Sequence, residues 1–250
     1  MTIFPGSQRA DRYAALKKLC YIERALPNQV VMAKTLMNEK RLGSVVQKIL
    51  LQINCKLGGD LWGCHIPMPG LMFIGIDVFK DKGTGGSVTA VVSTLNGQFS
   101  RYHSAVLFDK SGREGSAHKF EENLATKIVD ALERYHKTNN AWPAKVTIFR
   151  DGMNSGAYPQ AQKEARIISE RVGRFFEEKG APRPHLNVVV VQRRINAKFF
   201  LSNRGKIENP PAGTVIDHSV TLRDWYDFFL IPMNVNQVSS STCFVPRTNS

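Results

Sequence analysis

Two apolar runs that each carry an aspartate at or near their far end constrain this chain more than anything else in it. LMFIGIDVF (71–79) carries Asp77 near its far end, and KVTIFRDG (145–152) carries Asp151 at its close. Both runs read as core strands, and burying a lone carboxylate beside a core strand is costly unless a partner compensates it. A divalent cation is such a partner, because carboxylate oxygens are its preferred hard ligands. Taken alone, either aspartate is more simply the end of a strand or the cap of the next turn. A third acid, Glu114 in the loop DKSGREGS, can complete a ligand set. Glu121 and Glu122 are rivals for that place, although they fall inside a predicted helix and read as surface residues; spacing does not choose between them. Two metals about 4 Å apart, clamped by such acids, are the machinery of phosphodiester cleavage.

The remaining pattern sets the fold class as α/β. Strands are predicted at 71–79, 87–95, 99–108, 145–150, 186–193, 214–219 and 225–231, with helices at 118–137 and 159–178. Hairpin-type strands followed by strand–helix–strand units predict a mixed sheet with helices against it. Residues 1–63 form a smaller α/β unit, and 64–250 the larger one. In the smaller unit Asp11 caps a helix through RYAALKKL, and QVVMA (29–33) follows as a strand. Val45, Val46, Ile49, Leu50 and Ile53 then recur at helical spacing over 43–56, where Gly58-Gly59 ends the helix.

Charge narrows the partners. With 34 Lys+Arg against 21 Asp+Glu the net charge is +13, which suits a polyanion such as nucleic acid. No long apolar span or basic amphipathic helix points to a membrane. From Lys179 to Ile207 there are seven basic residues and no acid: Lys179, Arg183, Arg193, Arg194, Lys198, Arg204 and Lys206. Scattered charges usually coat a wet face, but a one-signed stretch is a candidate nucleic-acid track. The cysteines (Cys20, Cys55, Cys64, Cys243) show no metal-ligand spacing. No signal-peptide pattern opens the chain, so a reducing intracellular compartment is the expected setting.

A second constellation sits in the smaller unit. Tyr13 and Lys17 are four apart and share a helix face; Lys48, Gln52 and Lys56 are also spaced by four, and Gln29 lies between the two helices. Convergence of an aromatic ring, cations and amides would hold a terminal phosphate with the tyrosine stacked on a base. On spacing alone, two amphipathic helices with ordinary solvated faces explain the same pattern.

Several longer blocks carry a resemblance. DRYAALKKLC, PNQVVMAKTL, QINCKLGGDLW, FIGIDVFKD, IFRDGMNSG, RRINAKFF, NPPAGTVIDHSVT and WYDFFL closely resemble the C-terminal half of Argonaute-family proteins, in particular the Piwi clade, from about residue 3 to about 231. The resemblance implies a small Rossmann-like MID portion followed by a PIWI domain with a ribonuclease H-like fold. It implies that Tyr13, Lys17, Gln29, Gln52 and Lys56 hold the 5′ phosphate of a small guide RNA. It further implies that Asp77, Glu114 and Asp151 belong to an RNA-cleavage site using Mg2+ (or Mn2+), with Asp77 and Asp151 as metal ligands. Arg193, Arg194 and Lys198 would line an RNA track, and complementary target RNA and silencing-complex proteins would be partners. Transposon silencing in the germline is the implied setting, in cytoplasmic germ granules or the nucleus.

The chain also departs from that pattern. The fourth cleavage-site position is a histidine in a block resembling PTHY; counting without gaps from Asp227, Phe244 stands there. Phenylalanine neither ligates a metal nor transfers a proton, and no other histidine falls in a matching block. From about Pro232 the sequence no longer resembles the family, and the expectation is a partial product lacking the N-terminal, PAZ and linker regions. A guide-binding module without efficient cleavage is therefore preferred, with guide-directed cleavage of target RNA as the alternative. RNA binding should weaken steeply as salt rises from about 50 to 200 mM, as phosphate contacts release counterions; a flat response in a binding titration would remove the 179–207 stretch as an RNA track.

Overall fold

A computed structural model describes residues 1–6, 9–80, 83, 86–109, 116–151, 153, 156, 158–192, 195–222, 226–232 and 241–245, with backbone only for 116–118 and 241–245. It divides into two units, Met1–Cys64 and His65–Ser250.

In the first unit β1 (Thr2–Phe4) and β2 (Val30–Met32) pair in parallel, with Ile3 opposite Val31. Between them α1 (Ala10–Lys17) runs straight into a π-helical segment, Lys18–Glu23. The wider winding shows in the bond from the Arg24 amide to the Leu19 carbonyl, 3.0 Å and five residues back. After α2 (Ala33–Leu36) comes α3 (Glu39–Lys56), which begins four residues before the predicted 43–56. Its apolar stripe is only half covered: Val45, Ile49 and Ile53 are partly buried, while Val46 and Leu50 are exposed. The helix stops because Gly58 takes φ +87°, which lets the Gly59 amide reach back to the Asn54 carbonyl at 2.9 Å.

The second unit is built on an eight-stranded mixed sheet in the order β10-β11-β12-β7-β6-β3-β4-β5. β3 (Leu71–Lys80), β4 (Ser87–Thr94) and β5 (Tyr102–Asp109) form an antiparallel meander. The chain then crosses through α4 (Ser116–Asn139) to β6 (Lys145–Asp151), parallel to β3, and through α5 (Tyr158–Glu178) to β7 (His185–Gln192), parallel to β6. β8 (Leu201–Asn203) and β9 (Lys206–Glu208) form a separate hairpin. β10 (Thr214–Ile216) edges the sheet beside β11 (Tyr226–Ile231), and β12 (Ser241–Val245) lies antiparallel between β11 and β7. Strand β5 starts later than the predicted 99 because the Asn96 carboxamide oxygen accepts the Ser100 and Arg101 amides at 3.0 and 3.1 Å, holding the preceding residues in a turn.

Strand periodicity sorts the central sheet into two faces. Met72, Ile74 and Ile76 of β3 and Val146 and Ile148 of β6 pack against Leu124, Ile128 and Leu132 of α4 and Ile168, Val172 and Phe176 of α5. The alternate residues, including Asp77 and Asp151, belong to the other face. On the helical face, at the end of β6, Arg150 is buried and its Nε donates to Glu164 Oε2 of α5 at 3.0 Å. Its Nη1 also donates to the Asp151 carbonyl at 2.7 Å. Glu121, expected at the surface, is buried and faces Lys163 of α5 at 2.9 Å; it stands one turn before Leu124 and Ala125 on the stripe that packs inward.

Removing one member of a buried ion pair strands the other charge. Glu164→Ala should therefore lower unfolding free energy by roughly 3–5 kcal/mol in chemical denaturation. A loss below about 1 kcal/mol, the range of an exposed pair, would mean that the Arg150–Glu164 clasp does not anchor β6.

Candidate functional site

Register brings two of the sequence-predicted acids together. The parallel pair β3–β6 is matched through Ile76 and Arg150, and the next residue on each strand is Asp77 and Asp151. Neighbouring strands lie about 4.8 Å apart, so the two carboxyl-bearing residues stand side by side on the face away from α4 and α5. Asp77 is exposed and Asp151 partly buried. The burial cost that singles these residues out in the sequence is thus small; what distinguishes them is their adjacency. Glu114 lies outside the described residues, as do Arg193 and Arg194.

The same register fixes the position of Phe244. The row through Asp151 continues to Val191 and Cys243, whereas Phe244 pairs with Val190 on one side and Asp227 on the other. Phe244 therefore belongs to the row of Arg150, one step from the carboxylate row.

Among the described residues no group of three or more His, Cys, Asp or Glu could hold a metal ion. Asp77 and Asp151 supply two hard oxygen donors. Magnesium usually takes one or two carboxylates and completes its shell with water and substrate phosphate, so the donor chemistry fits Mg2+ or Mn2+.

In the first unit the amide and amine groups form a connected chain. Lys56 Nζ donates to Gln29 Oε1 at 2.6 Å and to the Asn28 carbonyl at 2.8 Å. Gln29 Nε2 in turn donates to Gln52 Oε1 at 2.8 Å and to the Val30 carbonyl at 3.2 Å. The spacing of Gln52 and Lys56 on α3 and the place of Gln29 just before β2 make this possible. Lys48, a turn earlier, is exposed and outside these bonds. On α1, Lys17 Nζ lies 5.3 Å from the centre of the Tyr13 ring. It also donates to the Tyr21 hydroxyl at 3.1 Å, a partner that the sequence reading did not include. That bond, ahead of the opposing effect of partial burial, holds the Lys17 ammonium above the usual lysine range. Asp11, in the first turn of α1, pairs with Arg9 at 2.7 Å, and its carboxyl is held low chiefly by that bond. Lys17 and Lys56 thus meet only neutral oxygens: among the described residues neither is paired with a carboxylate.

A buried polar cluster lies beyond both sites. Asp227 is 4% exposed, and its Oδ1 accepts the Leu222 amide at 3.0 Å. Gln192 Nε2 donates to the Tyr158 hydroxyl at 3.2 Å. Burial, and then the Asp227 carboxylate, push the Tyr158 phenol up. The cluster ties the starts of α5 and β11 to the end of β7. Nothing in the local spacing marks these residues, which come from three distant segments.

Part of the basic stretch is engaged within the fold. Lys179 faces Glu133 at 3.4 Å, and Arg183 Nη2 donates to the Ser169 carbonyl at 3.0 Å. Lys198 is exposed. Among the described residues no helix is long and apolar enough to cross a membrane.

Comparison with known proteins follows this geometry. The family model described as "Piwi domain" matches residues 1–246, and so extends over both units and past Pro232, where the sequence reading expected the likeness to end. Piwi-like protein Ago3 of Bombyx mori is 39% identical over 237 residues, which is 93% of this chain and 24% of that protein. The crystal structure of Drosophila Piwi superposes with a TM-score of 0.85 at 30% identity, covering 99% of this chain and 33% of that one. A Kluyveromyces polysporus Argonaute with a guide RNA gives 0.76 at 18% identity, covering 99% and 32%, a likeness of fold. The chain spans about a quarter of the length of the curated relatives it matches. The mixed α/β architecture is the ribonuclease H-like fold of Argonaute PIWI domains.

Proposed function

This chain belongs to the Piwi clade of the Argonaute family, and from that membership we propose that it is a small-RNA-binding module of RNA silencing that grips the 5′ phosphate of a guide. The observation that carries the reading is the uncompensated charge of the first unit. Lys17 and Lys56 are held by neutral phenol and carboxamide oxygens, so their positive charge is available to an anion. Gln29 and Gln52 add polar groups on the hydrogen-bonded chain of Lys56. The exposed ring of Tyr13 offers a face on which the first base can stack. Complementary target RNA would pair with the guide, and Lys198 with Arg193 and Arg194 would contact its backbone. The guide RNA held by the Kluyveromyces polysporus Argonaute supports this assignment of partner.

A second reading, guide-directed cleavage of the target, is favoured by one observation: the side-by-side placement of Asp77 and Asp151. These two would hold Mg2+ or Mn2+, with Glu114 as a further candidate. Such a cation, when bound, neutralises charge on a scissile phosphate and acidifies a bound water. The chain's own residues would orient the cation at the strand ends, on the open face of the sheet. Against efficient turnover stands Phe244, which offers neither ligand nor proton where the family pattern has histidine. We therefore propose binding as the primary role.

Each reading has its own measurement. Lys17→Ala together with Lys56→Ala should weaken 5′-phosphorylated RNA by roughly tenfold or more per lysine, the worth of a hydrogen bond to a charged group, while 5′-hydroxyl RNA loses far less; equal losses for both RNAs would refute the pocket. In magnesium, with a 5′-phosphorylated guide and a matched target, the chain should leave the target intact. Efficient cleavage that Asp77→Ala abolishes would overturn the binding-only role.

A further inference from the structure

We infer that Tyr21 is an additional phosphate-site residue, which positions the Lys17 ammonium and offers a hydroxyl donor of its own; the inference rests on the 5′-phosphate reading of Lys17 and its neighbours. Tyr13, Lys17 and Tyr21 are spaced by four, and Lys17 Nζ sits 5.3 Å from the Tyr13 ring centre and 4.5 Å from that of Tyr21. Two aromatic faces thus bracket one ammonium, an arrangement that attracts a cation through the ring quadrupoles. The backbone under Tyr21 is the π-helical segment Lys18–Glu23, a winding that occurs mostly as short insertions and frequently at functional sites. Cys20 is the buried residue of that segment, so its neighbour Tyr21 is fixed from behind while its own side chain remains 51% exposed.

The donor count gives the chemistry. An ammonium can only donate, whereas a phenol has one proton to give and lone pairs to accept. Tyr21 accepts from Lys17 at 3.1 Å and therefore keeps its own proton. Among the described residues that proton is given to no acceptor. A terminal phosphate oxygen beside Lys17 would receive it, adding a charge-assisted hydrogen bond to the lysine's own. Tyr21 would then sharpen the distinction between a phosphorylated end and a hydroxyl end, because only the former presents anionic oxygens. A tyrosine that merely braces the helix would instead affect fold stability and leave that distinction alone.

The test compares the full 250-residue chain with its variants, using an oligoribonucleotide carrying a 5′ phosphate and the same oligoribonucleotide carrying a 5′ hydroxyl. The readout is the ratio of the two dissociation constants, with thermal midpoints recorded alongside. Tyr21→Phe, which keeps the ring, should cut the ratio by about tenfold, with 5′-hydroxyl affinity falling far less than 5′-phosphate affinity and the midpoint holding. Tyr21→Gln, which restores a donor and an acceptor, should recover part of the ratio. In a Lys17→Ala background the further effect of Tyr21→Phe should shrink to about twofold or less, because the two side chains act as a unit. Collapse of the ratio by Lys17→Ala with no change in Tyr21→Phe would overturn the role of Tyr21 and leave the pocket standing. Equal weakening of both RNAs by Tyr21→Phe would assign it a structural role only. A ratio near one in the unaltered chain would remove the pocket, and this inference with it.

Discussion

The parallel pairing of β3 with β6 is the constraint on which the larger unit depends. It joins the antiparallel meander to the two strand–helix–strand crossovers and fixes which residues meet at the strand ends. A slip of one residue would turn Ile74, Ile76 and Ile148 away from α4 and α5 and send the aspartates into the helical layer. The apolar face resists that slip, and the buried Arg150–Glu164 pair marks the last turn of the register. Asp77 and Asp151 are adjacent because the core beneath them leaves the two strands no other alignment.

The smaller unit relies on a different balance. Its helix α3 carries no buried residue, and much of its apolar surface is exposed or half covered. Its polar side chains are nonetheless ordered into chains of hydrogen bonds. The two lysines in those chains are met by a phenol, a carboxamide and a carbonyl rather than by acids, while Asp11, in the first turn of α1, is occupied by Arg9. Charge retained in this way suits an anion. The first unit thus presents lysines held by neutral oxygens, and the second brings two carboxyl-bearing residues side by side at its strand ends.

Much of this was readable in the residues, and the exceptions have physical causes. The strands around Asp77 and Asp151 and helices α4 and α5 announce themselves through long apolar runs and helical stripes. Strand β12 does not, because STCFV lacks an apolar alternation and is defined by partners, β7 and β11, drawn from elsewhere in the chain. Strand β1 is only three residues long and depends on β2 for its pairing. Tyr21 follows Lys17 by the same four residues that separate Tyr13 from Lys17, so the spacing could have named it, but its bond to the ammonium is seen only in the coordinates. Glu121 was misjudged for the opposite reason: its charge suggested the surface, yet Leu124, Ala125 and Ile128 follow it on the packed face. Residue type and spacing single out the carboxylates and the amides; their neighbours are seen only in the coordinates.

The central claim is that an anionic RNA terminus is seated among the lysines and amides of the first unit. A crystal structure of the chain with a nucleoside 5′-monophosphate tests it most directly. The account predicts phosphate oxygens against Lys17 Nζ, Lys56 Nζ and the Gln29 and Gln52 carboxamides, with the base over the Tyr13 ring. A phosphate bound elsewhere, with these side chains still bonded only to one another, would contradict it.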